Sequence, residues 1–476
     1  MRGKYLTDYL KANAKNLADK LALVCDDRSL TWQELYEEVL SSATALEKLV
    51  PGREQQVIAL LIPNSWQYVV AYLAILEKGH IAAPMDVIYK PLELKAIIKQ
   101  IDPILLIADK AGKKRIGKIG IPVVLAKELK GTQTKTISRT YSLPPNRQLA
   151  SILFTSGTTG KPKATTSTHA NHIWNVNVCS NVWGWTADDT ILISLRLSHW
   201  YGLVMGLGAC LVHGSTLYLH ERFDARKTLE TLASGKISLF THGPVVYSKM
   251  LEVENTKNYD LSKVRLLISA SGPLAPPVWE KFKQDFGQEI LECYGSTETG
   301  RIASNLLDER IPGSPGRILP GVKMKLGPEN EVLVKSPGQF PGYYKNDDAT
   351  NACYTKDGWW DTGDIGEMKD GRIILKGRVQ EKIRRNSYIV SPRDIEWAML
   401  QHPKVKEIYV LGRQRPECAN DELVYFVAGD LDKDDIIAHS KIHLPSIWRP
   451  DQIVLLESVP RNSNGKPHLA LLREMA

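Results

Sequence analysis

The chain has 476 residues, 43% hydrophobic and 24% charged, more than the roughly 250–300 residues that one core serves, so two or three folded units are expected and disorder is excluded. Lys and Arg outnumber Asp and Glu by 61 to 53, a net charge of +8, but no dense basic run with interleaved aromatics appears, which excludes a nucleic-acid track and points to one local anion site. Six scattered cysteines without a C-x-x-C pair, a polar start at Met1–Tyr5 and no run of about 18 apolar residues exclude a zinc or redox motif and a membrane span, and a cytoplasmic location is expected.

In chain order, stretches rich in β-branched residues alternate with helix-period stretches: Val57–Ile62, Ser65–Lys78, Ile81–Met85, Pro91–Gln100 and Ile104–Ala108. This alternation predicts parallel strands with crossover helices, an α/β fold of doubly wound sheets. A further strand, Leu149–Phe154, feeds a Thr/Ser/Gly loop, and a helix follows from about Ala170. Near its start His169 and His172 stand three apart; with no third ligand at metal spacing they read as structural. From about Pro312 the sequence turns to short strands rich in Gly and Pro, at Gly313–Gly316, Gly321–Leu326 and Glu331–Val334. A turn at Lys369–Arg372 then joins Gly366–Met368 to Ile373–Leu375, completing a β-rich subdomain over about 313–376. A small α+β unit follows, with helix Ser391–Gln401, strands Val405–Leu411 and Glu422–Ala428, and a last helix after Pro467. The expected domains are therefore 1–378 and 379–476.

The strongest local signal is the run Leu153–Lys163, LFTSGTTGKPK. Such a loop can aim backbone N–H groups, hydroxyls and two lysines at phosphate oxygens. Pro162 stands where a Walker A loop has its second glycine, which argues against a P-loop NTPase. Farther on come Tyr294-Gly295-Ser296-Thr297-Glu298-Thr299-Gly300, then Asp357–Asp364 (DGWWDTGD), Gly377-Arg378 and Asn464-Gly465-Lys466.

This ordered set closely resembles the superfamily of adenylate-forming enzymes, which includes acyl- and aryl-CoA synthetases, adenylation domains of peptide synthetases and firefly-type luciferases. The resemblance spans essentially the whole chain. It implies a large AMP-binding domain followed by a mobile C-terminal lid that carries the catalytic lysine. It also implies two steps: ATP and a carboxylic acid give acyl-AMP and pyrophosphate with Mg2+, then the thiol of CoA displaces AMP.

Residue by residue, the resemblance implies that Thr155, Ser156, Gly157, Thr158, Thr159, Gly160 and Lys163 embrace the β- and γ-phosphates. Tyr294 stacks on adenine beside Ser271, Gly272 and Pro273, with Gly295 and Ser296 in the same nucleotide wall. Thr297 touches the α-phosphate, and Glu298 holds Mg2+, a hard cation suited to one carboxylate plus phosphate oxygens. Asp364 accepts hydrogen bonds from the ribose hydroxyls, and Arg378 adds a donor near the sugar. Lys466 bridges the substrate carboxylate and the α-phosphate, two anions that must meet. Leu197–Gly202 resembles the floor of the acid pocket, with His199 beside the carboxylate and Trp200, Gly202 and Gly206 in the wall. Trp200 stands where amino-acid-activating relatives have an aspartate, so an α-amino acid is not expected; with Tyr201, Gly206, Gly208 and Gly214 it favours a nonpolar or aromatic acid. Gln380 is the expected hinge.

Some positions depart from the family pattern. Ala164 follows Lys163 in place of glycine, Gln380 replaces the usual Asp or Lys, and Leu469 replaces an arginine. Ser387 stands where relatives keep a glycine beside the pantetheine tunnel. Two rival readings remain: an enzyme that loads a carrier-protein thiol, and a nucleotide-binding protein without catalysis. A homodimer is an admissible state of association.

Overall fold

The helix Trp66–Glu77 shows why the N-terminal part folds in layers. Its sequence, WQYVVAYLAILE, is apolar all round, and every residue from Tyr68 to Glu77 is buried, the pattern of a helix enclosed on all sides. The computed structural model describes residues 3–52, 55–131, 141, 143–155, 162–381, 383–385, 388–414, 421–461 and 466–476. In it this helix touches strands of two different sheets.

One sheet has six strands in the order Val123–Leu125, Leu105–Ala108, Val57–Leu61, Ile81–Pro84, Leu149–Thr155 and Lys163–Thr168. The first five are parallel and the last returns antiparallel. Val57–Leu61 is buried along its whole length, as a parallel strand covered on both faces must be.

The other sheet has thirteen strands and changes character midway. Leu21–Cys25, Thr216–Leu219, Thr190–Ile193, Leu239–His242, Leu266–Ser269 and Ile290–Ser296 are parallel neighbours. From Ile290–Ser296 the pairing turns antiparallel through Gly300–Ser304, Gly316–Ile318, Arg372–Arg378, Trp360–Lys369, Glu331–Lys335 and Lys323–Leu326. Ser29–Thr31 closes the opposite edge.

The strand expected at Gly313–Gly316 is instead a turn, with Ser314 N donating to Ile311 O at 3.2 Å, and pairing starts only at Gly316. Pro312 and Pro315 have no N–H for a ladder, and Gly313 and Gly316 take φ of +77° and +89°.

Beyond Arg378 the chain builds a separate core from Ile383, Ile395, Met399, Tyr425, Val427 and Ile436. Helices Pro392–Met399 and Lys433–His443 accompany a sheet of Val405–Arg413, Glu422–Gly429 and Gln452–Leu456. This unit rests on the large one through Ser391 Oγ, which donates to Lys376 O at 3.0 Å, and Arg393 Nη1, which donates to Leu375 O at 2.6 Å. The Trp397 ring lies so close over Gly313 that a Cβ there would meet it at 2.8 Å.

Among the described residues no helix is long and apolar enough to cross a membrane, and no set of three ligating side chains could hold a metal. His169 and His172 are structural: His169 Nδ1 accepts from Leu6 N at 3.2 Å, and His172 Nε2 pairs with Ser151 Oγ at 3.0 Å.

Candidate active site

The site grows from the change in strand direction. Parallel strands present their C-terminal ends along one edge, where such sheets bind ligands. The last of them, Ile290–Ser296, turns back through residues 297–299 into Gly300–Ser304. Ser296 braces this turn: its Oγ accepts from Glu298 N at 3.2 Å and Thr299 N at 3.1 Å, and its N donates to Thr299 Oγ1 at 3.0 Å. Both bounding glycines are required. A Cβ on Gly295 would sit 2.0 Å from Gly300 O, and Gly300 itself takes φ +66° against Asn175. Thr297 and Glu298 are thereby held half-buried at the sheet edge.

Asp364 lies opposite Arg378 in the neighbouring hairpin. Arg378 Nε donates to its Oδ1 at 2.9 Å, and Tyr294 Oη donates to Oδ2 at 2.6 Å. A carboxylate accepts at about four lone-pair positions, so each oxygen keeps room for one more donor. The Asp364 charge holds the Arg378 guanidinium above its ordinary value, and burial, followed by that same charge, drives the Tyr294 phenol well up. Tyr294, expected as a stacking surface, is thus also tied to the Asp364 carboxylate by its hydroxyl.

Thr155 and Lys163 face each other at the neck of the Thr/Ser/Gly loop; Ser156, Gly157, Thr158, Thr159 and Gly160 lie outside the described residues. Lys163 Nζ stands 4.9 Å from the centre of the Tyr343 ring, and Tyr343 Oη donates to Glu298 Oε1 at 3.2 Å. Tyr344 N and Thr166 N close this arrangement on Ala164 O and Gly342 O at 2.8 and 3.1 Å. Tyr343 therefore couples the loop neck to Glu298. Burial and then the Glu298 charge keep its phenol protonated. Nothing in the sequence around it signals this role.

Lys466 arrives from the small unit, where Arg461 bridges Pro467 and His468 N donates to Pro460 O at 2.8 Å. The residue keeps exposed surface, yet its ammonium is drawn below its ordinary value by burial and then Arg378, and sustained by Asp364, Glu298 and Glu381. The same ammonium thus responds to the charges of both clusters.

Its charge also acts on His199, which burial, then Lys466, Arg196 and Arg301, hold down at about 3. His199 Nδ1 accepts from Tyr201 N at 3.3 Å, so the neutral ring carries its proton on Nε2. His199 lines a small cleft with Pro84, Asp86, Tyr89, Phe154 and Ser198, beside the Asp86–Arg196 pair at 2.7 Å.

The chain continues from His199 into a π-helical segment, Gly202–Gly208, a form often found at functional sites. Gly202 and Gly206, expected as pocket wall, act indirectly: a Cβ on either would press into Arg196 O at 2.7 Å or Ile193 Cγ1 at 2.9 Å, so they let the segment lie close to its neighbours. Trp200 is buried, and its ring carries the guanidinium of Arg301, a residue the motifs did not single out.

Ser271, with φ +70°, and the exposed Gly272 and Pro273 follow the neighbouring strand Leu266–Ser269. Gln380 falls in the single turn Val379–Glu381 between Arg378 and Ile383–Arg385. Ser387 lies outside the described residues.

A braced carboxylate, Asp364, on one unit and an ammonium, Lys466, on the other form the kind of two-part arrangement that adenylate-forming ligases use. The chain belongs to the AMP-binding enzyme family, which it matches over residues 10–344, with the family's C-terminal domain over 394–466. It is 30% identical to the human mitochondrial malonate–CoA ligase ACSF3, across 94% of this chain and 88% of that protein. ATP-bound MatB from Rhodopseudomonas palustris has the same fold, with a TM-score of 0.91 and 25% identity over 99% of both chains. The anthranilate CoA ligase AuaEII in complex with anthranoyl-AMP shares it as well, with a TM-score of 0.92 and 24% identity over 100% of this chain and 98% of that one. The protein is an AMP-forming acid–thiol ligase of the acyl-CoA synthetase type: it activates a carboxylic acid with ATP and transfers the acyl group to CoA.

Proposed function

We propose the following division of labour within that reaction. Asp364 accepts the ribose hydroxyls while Arg378 and Tyr294 hold its carboxylate in place, and the loop between Thr155 and Lys163 receives the departing pyrophosphate. Lys466 lies between the acid's carboxylate and the α-phosphate, so that a carboxylate oxygen can attack phosphorus as the bond to pyrophosphate breaks. A positive charge between two anions lowers the barrier where charge concentrates. His199, neutral and with its proton on Nε2, donates to the same carboxylate.

Glu298 fits a magnesium ion brought in with the nucleotide, because its carboxylate faces the loop neck through Tyr343 and such an ion takes few protein oxygens and several from phosphate. Bound there, the ion would neutralise phosphate charge. For the second step Lys466 must withdraw to admit the CoA thiol, and the turn Val379–Glu381 is the natural pivot. The absence of disulfides among the five described cysteines supports a reducing compartment. Malonate, in the name of the human relative, carries a second carboxylate, and anthranilate, in the name of the structural neighbour, does not, so the likenesses leave the acid open.

The observation that carries this reading is the pair of braced carboxylates, Asp364 held by Tyr294 and Arg378 at 2.6 and 2.9 Å and Glu298 by Tyr343 at 3.2 Å, with the Lys466 ammonium set by burial and then by Arg378, Asp364 and Glu298. Lys466→Ala should lower acid-dependent pyrophosphate release by about 10²–10³-fold and spare CoA thiolysis of a supplied acyl-AMP. Wild-type pyrophosphate release in the variant would refute the assignment.

A further inference from the structure

Arg301 is an anomaly in the core. It is only 2% exposed, and its guanidinium lies 5.0 Å from the ring centres of both Trp200 and Tyr201. These are the two residues that follow His199. Of its five N–H donors, the only side-chain hydrogen bond among the described residues runs from Nη1 to Cys293 Sγ at 3.8 Å, and Nε is buried without a partner. A thiol is a weak acceptor, and Tyr201 Oη already receives Thr241 Oγ1 at 2.7 Å.

The nearest carboxylate in sequence, Glu298, accepts from Tyr343 Oη at 3.2 Å, and Glu292, beside Cys293, also belongs elsewhere. Successive strand residues point to opposite faces: Cys293 faces Arg301, while Glu292 accepts from Gly313 N at 2.8 Å and Leu274 N at 3.4 Å. No carboxylate among the described residues forms an ion pair with Arg301.

A buried cation without a counter-ion is strongly disfavoured, so buried arginines are either paired or wait for an anionic ligand. The fixed fork of the guanidinium matches a carboxylate in two hydrogen bonds. The surroundings point the same way, because Arg301 and Lys466 both act on His199. Arg196, the other arginine that acts on His199, is already paired with Asp86 at 2.7 Å, whereas Arg301 is held on the rings of Trp200 and Tyr201, directly behind His199 in the chain. Lys466 serves the carboxylate that reacts; Arg301 remains for another.

We propose that the acid activated by this ligase carries a second carboxylate, and that Arg301 is the residue that binds it. This rests on the ligase reading above and changes the expected substrate from a nonpolar acid to a dicarboxylic one. Trp200 and Tyr201, which favoured an aromatic acid in the sequence, serve instead as the two faces between which the guanidinium is held.

The test compares malonate, succinate and glutarate with their half-amides, which keep the shape and one carboxylate but lose the second charge, and with propionate and benzoate. Acid-dependent pyrophosphate release is measured on the full chain. We expect one diacid to exceed its half-amide in kcat/KM by about 10²-fold or more. In Arg301→Met that ratio should collapse while the KM for ATP stays, and a diacid should no longer raise the melting temperature. A purely structural arginine would lower activity toward all acids alike. If Arg301→Met does not fold, Arg301→Lys should still reduce the ratio by about tenfold, because an ammonium lacks the bidentate fork. Equal use of diacids and half-amides by the wild type, or a preference that survives substitution, would overturn the proposal alone. Failure of every acid to release pyrophosphate would overturn the ligase reading with it.

Discussion

Single side chains in this site do more than one task. Asp364 takes a hydrogen bond from Tyr294 on one oxygen and from Arg378 on the other, so before any nucleotide arrives its orientation is already set. Preorganised acceptors bind without first losing rotamer freedom. Asp364→Ala should weaken ATP binding by about 1.5–3 kcal/mol, the range for hydrogen bonds to a charged group, which calorimetry can read directly. An affinity within a factor of two of wild type would remove Asp364 from the ribose site. Tyr343 is the counterpart at the loop neck, joining Lys163 to Glu298.

At the scale of elements, the informative junctions are where regular structure stops. The turn 297–299 exists because Gly295 lets the Gly300 backbone pass where a Cβ would block it, and Gly300 takes φ +66° with the Asn175 side chain against it. The turn Val379–Glu381 is a different junction: one short coil of chain links two units that each have their own core. Gln380→Pro would fix φ near −65° and remove an N–H. We expect acyl-AMP formation and thiolysis, measured in single turnovers, to respond unequally. Wild-type rates in both half-reactions would argue against a pivot here.

For the whole molecule, stability should be bounded on both sides of neutrality. Burial holds His80 at about 4 and His172, His199 and His242 at about 3, whereas an unfolded histidine titrates near 6.5. The unfolded chain therefore binds more protons, and the stability these residues allow above about pH 6.5 is lost as pH falls toward about 3. Burial acts oppositely on Glu292 and Glu396, pushed up to about 7 and about 8; their folded forms bind protons first, so they favour folding as pH falls from about 8 to about 4.5. Above about 6.5 these carboxyls set the slope, and below it the buried histidines, to which His213 and His220 add in the same direction, outweigh them. The melting temperature should peak near pH 6.5–7, and each fully buried histidine should contribute on the order of 1 kcal/mol per pH unit on the acid side. His172→Asn should flatten the acid limb and Glu396→Gln the alkaline one. A melting temperature constant from pH 5 to pH 8 would contradict this account.

What the sequence determined by itself was whatever local spacing encodes. The alternation from Val57 to Ala108 announced parallel strands and crossovers, and the structure has them within a few residues at Val57–Leu61, Trp66–Glu77, Ile81–Pro84, Pro91–Ile101 and Leu105–Ala108. The motifs at Thr155–Lys163, Tyr294–Gly300, Asp364, Arg378 and Lys466 named the family, because backbone turns and charged side chains at set intervals are properties of the chain alone. Local spacing also misled: Gly313–Gly316 looked like a strand until its prolines and left-handed glycines made it a turn. Tertiary structure alone decided the rest. Tyr343 matters only because residues 342–344 pair beside Ala164–Thr166, and Arg301 only because Trp200, Tyr201 and Cys293 close around it from two other stretches of chain. Burial, and with it the free energy of leaving a charge unpaired, is a property of how distant segments meet, so no window of sequence could have disclosed it.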